Sequence, residues 1–329
     1  MPNRRRTLAW LSCSLATPWP LQSAQAAHDW PSQALTVVVP FAPGGSVDVA
    51  ARLLMPRLAD HLHQVVVVDN TVGASGTLAT QRVIKARPDG HTLLFGVASA
   101  VITAPLLAPG TYHFDGLREL MPVAAVASSA FVLLGRPDLP AAHTAELLQL
   151  ARAQPGRLNL GTDGVGTSLH LCAELIRQQA GLQWQHVPYK SGPQVLTELA
   201  GRQIDLAVLP VALTQSMIRE GRIKAYGVTS RQRVPSLPHV PSLSETPALR
   251  DVDVRAWLGV LLPAGCDPSI ASRLAQALAA VVQEPAVIAS LAEAGFQPMQ
   301  LSLAAFSESL LRERQAVTEL IRRAHIQRD

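Results

Sequence analysis

Charged side chains are scarce in this chain and aromatic ones scarcer still. Asp, Glu, Lys and Arg make up 16% of its 329 residues, Phe, Trp and Tyr 4%, and three residues are cysteine. With 48% hydrophobic residues, so little charge excludes an intrinsically disordered chain. The shortage of aromatics argues against base-stacking nucleic-acid modules and against lectin surfaces built on aromatic platforms. Three cysteines do not make a disulfide framework. Cys13 lies in the leader described below, and the widely separated Cys172 and Cys266 read as small core residues. Long apolar runs are missing too. The uncharged stretch Leu120–Gly135 contains Pro122, Ser128 and Ser129, so a buried strand is expected there rather than a membrane span of about 20 apolar residues.

Residues 1–26 have the form of a secretory signal peptide. Arg4, Arg5 and Arg6 precede an apolar stretch from Leu8 to Leu15, and Ala24-Gln25-Ala26 matches a cleavage site. The arginines followed by Thr7-Leu8 also loosely resemble a twin-arginine signal, so either export route is compatible with the segment. Removing it takes three arginines and no acid, which lowers the net charge from +4 to +1. The basic character that would suggest nucleic acid thus disappears. A mature periplasmic protein is expected, monomeric by default.

Beyond the leader, short apolar runs alternate with helical patterns. Leu35–Val39, Val65–Asp69 and Thr92–Val97 read as strands buried on both faces, with amphipathic segments between them. That alternation predicts a right-handed parallel sheet. The pattern resumes with strands at Leu158–Leu160, Gln185–Val187, Ile204–Leu209 and Ile223–Val228, and Ala256–Leu262 is expected as the last strand before a helical C-terminus. Two lobes follow, since the length exceeds what one core usually serves. Crossings near Val123–Ser129 and Ala225–Thr229 would place residues 27–126 and 226–329 in lobe 1 and 127–225 in lobe 2, with a ligand cleft between them.

Four loops repeat one design, in which a strand ends, small residues follow and a helix begins. They are Pro40–Asp48, Asn70–Thr77, Gly161–His170 and Tyr189–Pro193. In the first, Gly44 and Gly45 admit close approach by a ligand and Ser46 is expected to cap the helix. One such turn is usually only a turn and a cap. Four, split between the halves of the chain, make a site where helix N-terminal N–H groups meet a small anion, a carboxylate above all. No Walker A sequence occurs, and Gly161–Gly166 lacks G-x-G-x-x-G spacing, which disfavours phosphate.

Enzyme readings lack their parts. Gly73-Ala74-Ser75-Gly76 fails as a nucleophile elbow, and Ser168 and His170 stand two apart, a spacing that does not face them on a helix. His61 and His63 have no third ligand nearby and read as solvated surface groups. A helix-dipole carboxylate is the commoner role for Asp48, and a structural turn the commoner one for Asp205. No cofactor, metal or catalytic residue is expected.

The order and spacing of these segments resemble the Bug-type, or TctC-like, solute-binding proteins, the extracytoplasmic receptors of tripartite tricarboxylate transporters. The resemblance is carried by Trp30-Pro31-Ser32-Gln33, Pro40-Phe41-Ala42-Pro43-Gly44-Gly45, Arg87-Pro88-Asp89-Gly90, Gly164–His170, His186-Val187-Pro188-Tyr189-Lys190, Gly201–Asp205 and Trp257-Leu258-Gly259, across essentially the whole mature chain. It implies two Rossmann-like lobes in a type II periplasmic-binding-protein arrangement, a small organic carboxylate as ligand, and a membrane permease as partner. It also implies that loops matching Phe41–Asp48 and Gly166–His170 line the cleft.

The residues expected at the ligand are Phe41, Ala42, Pro43, Gly44, Gly45, Ser46, Asp48, Ser75, Gly76, Ser99, Thr162, Gly166, Thr167, Ser168, His170, Tyr189, Lys190 and Asp205. Three departures from the family's usual pattern, at Ala98–Val101, Ala207–Pro210 and Ser191, make a less polar wall. Such a wall favours one carboxylate on an apolar body over citrate. Two other readings stay open: a loaded sensor acting on a signalling protein, and an exported enzyme of this fold.

Overall fold

The computed structural model describes residues 30–324; the signal-peptide segment lies outside the described residues. The first half runs β1 (Leu35–Val39), α1 (Ser46–Leu62), β2 (Val66–Asn70), α2 (Thr77–Ile84), β3 (Thr92–Gly96), α3 (Ala104–Leu107), α4 (Gly116–Glu119), β4 (Leu120–Gly135) and α5 (Thr144–Ala153). Next come β5 (Asn159–Thr162), α6 (Ser168–Ala180), β6 (Gln185–Pro188), α7 (Gly192–Ala200), β7 (Leu206–Pro210), α8 (Val211–Arg219) and β8 (Lys224–Val228). The chain closes with β9 (Arg255–Pro263), α9 (Pro268–Gln283), α10 (Pro285–Glu293), β10 (Gln297–Leu301) and α11 (Leu303–Ala324). Among the described residues no single helix is long and apolar enough to cross a membrane.

In the first lobe β1 pairs in parallel with β2 and β3, and β3 pairs antiparallel with β9. In the second, β5 pairs in parallel with β6 and β7. The parallel arrangement expected from the alternating pattern is therefore present in both halves. The 16-residue β4 joins them. Its first part pairs with β9 and β10, its last part with β7 and β8.

Side-chain alternation explains why the strands read as continuous apolar runs. Leu35, Val37 and Val39 enter one core and Val38 another on the opposite face of the same sheet. Helices cover both faces, so both parities must be apolar. Phe95, Leu54, Leu58, Leu274 and Leu278 fill the first of these cores, and Phe306 and Leu310 of α11 close the second.

The second lobe has its own core, from Ala130 to Val252. Two expectations are corrected here. The first is that residues 226–252 belong with lobe 1. Tyr226, Val228, Val234, Leu237, Val240, Leu243 and Leu249 all pack into the second lobe's core, because the proline-rich stretch folds back over β8 instead of crossing after it. The second is that Ala256–Leu262 is the last strand. β10 follows it and pairs with β4. Cys172 and Cys266 are buried and unbridged, as small core residues would be, and burial pushes both thiols up.

Candidate functional site: the cleft between the lobes

The carboxyl ends of β1, β2, β5, β6 and β7 each lead through a short loop, or directly, into a helix start. In open α/β sheets this is the edge where ligands bind. Two adjoining cavities lie there. The larger, about 400 Å³, is lined by Phe41, Val72, Gly73, Ala74, Ser75 and Gly76 from the first lobe and by Asp163, Gly164, Val165, Tyr189 and Lys190 from the second. The smaller, about 50 Å³, is lined by Phe41, Ala42, Gly45, Ser46 and Val47 against Asp163, Ser191, Gly192, Pro193, Pro210 and Leu213. Both lobes wall both cavities, and Phe41 and Asp163 belong to each.

The first loop is held from behind. Gly45 N–H donates to the Ala42 carbonyl at 3.1 Å. Asp48 takes a hydrogen bond from Gly44 N–H at 3.0 Å, two from the Arg52 Nε at 3.0 and 2.9 Å, and one from Asn70 Nδ2 at 2.9 Å. Burial would raise the Asp48 carboxyl, but the hydrogen bonds from Arg52, Gly44 and Asn70 outweigh it and hold the group below its ordinary value. The same Asn70 amide ties the Phe41 carbonyl at 2.9 Å. Asp48 is thus a brace for the loop rather than a ligand contact. Ser46 is the first helical residue and Gly45 the cap, so the expected serine cap is absent.

That absence has a chemical consequence. α1, α2 and α8 begin at Gly45, Gly76 and Pro210 with no side-chain oxygen accepting from their first turns. α6 and α7, by contrast, are capped by Thr167 and Ser191. Three helix starts, from both lobes, therefore lack a side-chain cap and place positive dipole ends at or beside the cavities, where an anion is favoured, although the Thr77 N–H of α2 already donates to the Ala74 carbonyl.

The second loop carries four consecutive left-handed residues: Gly73 (φ 135°), Ala74 (50°), Ser75 (56°) and Gly76 (90°). Alanine and serine in that region cost roughly 1–2 kcal/mol each. Thr77 Oγ1 donates to the Ala74 carbonyl at 2.8 Å, and Ser75 Oγ reaches the Val165 carbonyl of the other lobe at 3.1 Å. The Ser75 hydrogen bond links the two lobes across the cleft.

The third loop rests on a histidine pair. His170 Nδ1 accepts from Gly166 N–H at 3.1 Å. Its ring stacks on His186 at 3.9 Å, with planes 12° apart, and His186 Nε2 lies 2.6 Å from Thr162 Oγ1. Burial pushes His170 down to about 4, with Arg177 adding to the effect. Burial and then the neighbouring His170 push His186 down to about 4, against Glu174. Both rings are neutral at pH 7, which the acceptor role of Nδ1 requires.

Of the residues expected at the ligand, Phe41, Ala42, Gly45, Ser46, Ser75, Gly76, Tyr189 and Lys190 line the two cavities. Pro43 and Gly44 sit on the exposed crest of the first loop. Thr162, Gly166, Thr167 and His170 are buried behind the cleft wall and shape it. Ser99 is buried in a helical stretch after β3 and lines neither cavity. Ser168 faces a separate cavity of about 490 Å³, with Leu171 and Glu313, because the first turn of α6 points it away. Asp205 lies at the far end of the strands, where it receives Arg136 Nε at 3.0 Å and Asn159 N–H at 2.9 Å. It is the structural turn residue that its position suggested.

The important omission from the expected set is Asp163. It is the one acidic residue in the strand-to-helix turn Asp163–Thr167, a signal visible in the sequence. Among the described residues no group of three or more His, Cys, Asp or Glu is arranged to hold a metal.

Comparison with known proteins identifies the family and the fold. Residues 50–323 match the family described as the tripartite tricarboxylate transporter family receptor, TctC. The chain belongs to that family. It is 32% identical to BugT of Bordetella pertussis over 90% of each chain. Among solved structures it is similar to R. palustris Rpa4515 with adipate, with a TM-score of 0.87, 29% identity, and 91% of this chain and 99% of that one covered. It is also similar to MatC (Rpa3494) of Rhodopseudomonas palustris with bound malate, with a TM-score of 0.83, 28% identity, and 89% and 100% covered. It is similar as well to periplasmic binding protein BugD, with a TM-score of 0.84, 29% identity, and 91% of this chain and 100% of that one covered, and the family is one of receptors rather than enzymes.

Proposed function

We propose that this protein is an exported receptor that captures a small organic carboxylate between its lobes and presents it to the permease of a tripartite tricarboxylate transporter. The observation that carries this reading is the convergence of three uncapped helix starts, α1 and α2 from one lobe and α8 from the other, on cavities that both lobes wall. A carboxylate held there touches both lobes and so favours the closed arrangement. The adipate and malate bound by structural relatives are carboxylates of fitting size. The signal-peptide form of residues 1–26 and the family's periplasmic setting support secretion to that compartment. Within the lobes, residues 30–126 with 255–324 and residues 130–252 form the two moving bodies, and Phe41, Ser75, Gly76, Tyr189 and Lys190 meet the ligand.

A thermal-shift screen of mono-, di- and tricarboxylates tests the reading. A ligand at a hundred times its Kd should add about 2.7 kcal/mol to native stability and raise Tm by several degrees. If no carboxylate at millimolar concentration moves Tm, the proposal fails.

A further inference from the structure

The cavity of about 490 Å³ that Ser168 faces lies between α6 of the second lobe and α11 of the first, beside the crossing residues Asp253, Val254 and Arg255. It shares no lining residue with either cavity of the cleft. Leu171 and Leu175 of α6, with Val317 and Leu320 of α11, give it an apolar wall.

Four charged side chains line the cavity, and three of them are committed to neighbours. Asp253 accepts from the Arg231 N–H at 3.1 Å, and the Arg231 Nε lies 3.5 Å from its other oxygen. Glu319 accepts from the Arg322 Nε at 3.0 Å and Nη2 at 2.8 Å. Arg255 Nη1 donates to Gln297 Oε1 at 2.9 Å. Glu313 is the fourth. This half-buried carboxylate accepts from Trp257 Nε1 through Oε2, and among the described residues no Arg, Lys or His forms an ion pair with it. Its Oε1 has no hydrogen-bond partner among the described residues and is not closed to solvent. Burial pushes the group up to about 7, against the Trp257 hydrogen bond, so a cation brought to it would relieve an uncompensated charge.

We propose that this cavity is a second ligand site, for a small organic cation: an alkylammonium whose N–H donates to Glu313 Oε1 while its hydrocarbon lies on the apolar wall. An anion would meet three carboxylates and a single guanidinium that already has a partner. A bare metal ion finds no group of three or more His, Cys, Asp or Glu among the described residues. A neutral alcohol would fill the same space and leave the Glu313 charge unanswered.

The test titrates the protein at pH 8 with hexylammonium chloride and with hexan-1-ol, and reads binding from the indole N–H resonance of Trp257, the Glu313 donor. Hexylammonium should move that resonance and bind about tenfold more tightly than the alcohol. Glu313→Gln keeps an acceptor for Trp257 and should bring the two probes within about threefold of each other, as should Glu313→Met, which serves if the first variant folds poorly. The site is overturned by a Trp257 resonance that stays still up to about 20 mM hexylammonium, or by equal binding of amine and alcohol. A preference that survives in both variants, or shifts confined to the Gly45 and Gly76 N–H groups of the cleft, overturns it as well. The carboxylate reading is untouched by any of these results, because neither probe is an acid.

Discussion

Acid should loosen the second lobe's side of the cleft through the His170–His186 stack. Both imidazoles are held down to about 4 from 6.5, chiefly by burial. Between those values the unfolded chain binds protons that the native state refuses. Their contribution to stability is therefore complete above pH 6.5 and is lost as pH falls toward 4. One imidazole shifted this far makes unfolding easier by about 2 kcal/mol at pH 5 than at pH 8. Two carboxyls act in the opposite sense. Burial pushes Asp163 up to about 6 and Glu313 up to about 7, so their contribution is greatest in acid and is lost as pH rises through those values. The wild-type profile mixes the two.

The informative perturbation is His186→Phe, which keeps an aromatic ring against His170 and removes one titration. It also removes one of the two partners of Thr162 Oγ1, the other being the Gly164 carbonyl, a cost of about 1 kcal/mol at every pH, so the comparison must be between pH values and not between proteins. Urea unfolding at pH 8 and pH 5 measures it. On going to pH 5 the variant should lose about 2 kcal/mol less than wild type. A difference below about 0.5 kcal/mol would mean that the pair is not a proton-excluding unit, and the reasoning about the third loop would fall with it.

Two further expectations concern the first lobe. Gly76→Val puts a Cβ 2.8 Å from Ala100 Cβ and 3.0 Å from Pro40 Cβ at a φ of +90°. It should cost about 2–4 kcal/mol, and a melting temperature within about 2 °C of wild type would contradict the packing described. Asp48→Ala frees Gly44 N–H and Asn70 and should cost about 2–3 kcal/mol while weakening ligand binding in calorimetry. An unchanged urea midpoint would show that the brace is not needed.

The doubly buried strands were legible because their apolar runs leave no other reading, and β4 was found at its true bounds as an uncharged, largely apolar stretch. β10 escaped because Gln297–Leu301 alternates half-exposed residues around Pro298 and carries little apolar signal. The misplacement of residues 226–252 has a similar cause. Their apolar residues follow no period, and irregular chain does not announce which core it covers. At the site, the loops were legible from their glycines and helix starts, whereas the direction each residue faces was not. Ser168 and Thr167 are neighbours, yet one opens on another cavity and the other caps α6 behind the cleft.

Leu120–Gly135 is one ribbon of backbone shared by both sheets, and this governs how the molecule fails as well as how it moves. Opening the cleft must twist that ribbon like a leaf spring, which returns the lobes toward a set resting angle. Heat has no weak joint to melt first, so both halves should be lost in a single transition. Nor can either half be produced alone, since each would be missing a strand that pairs with two others in its sheet.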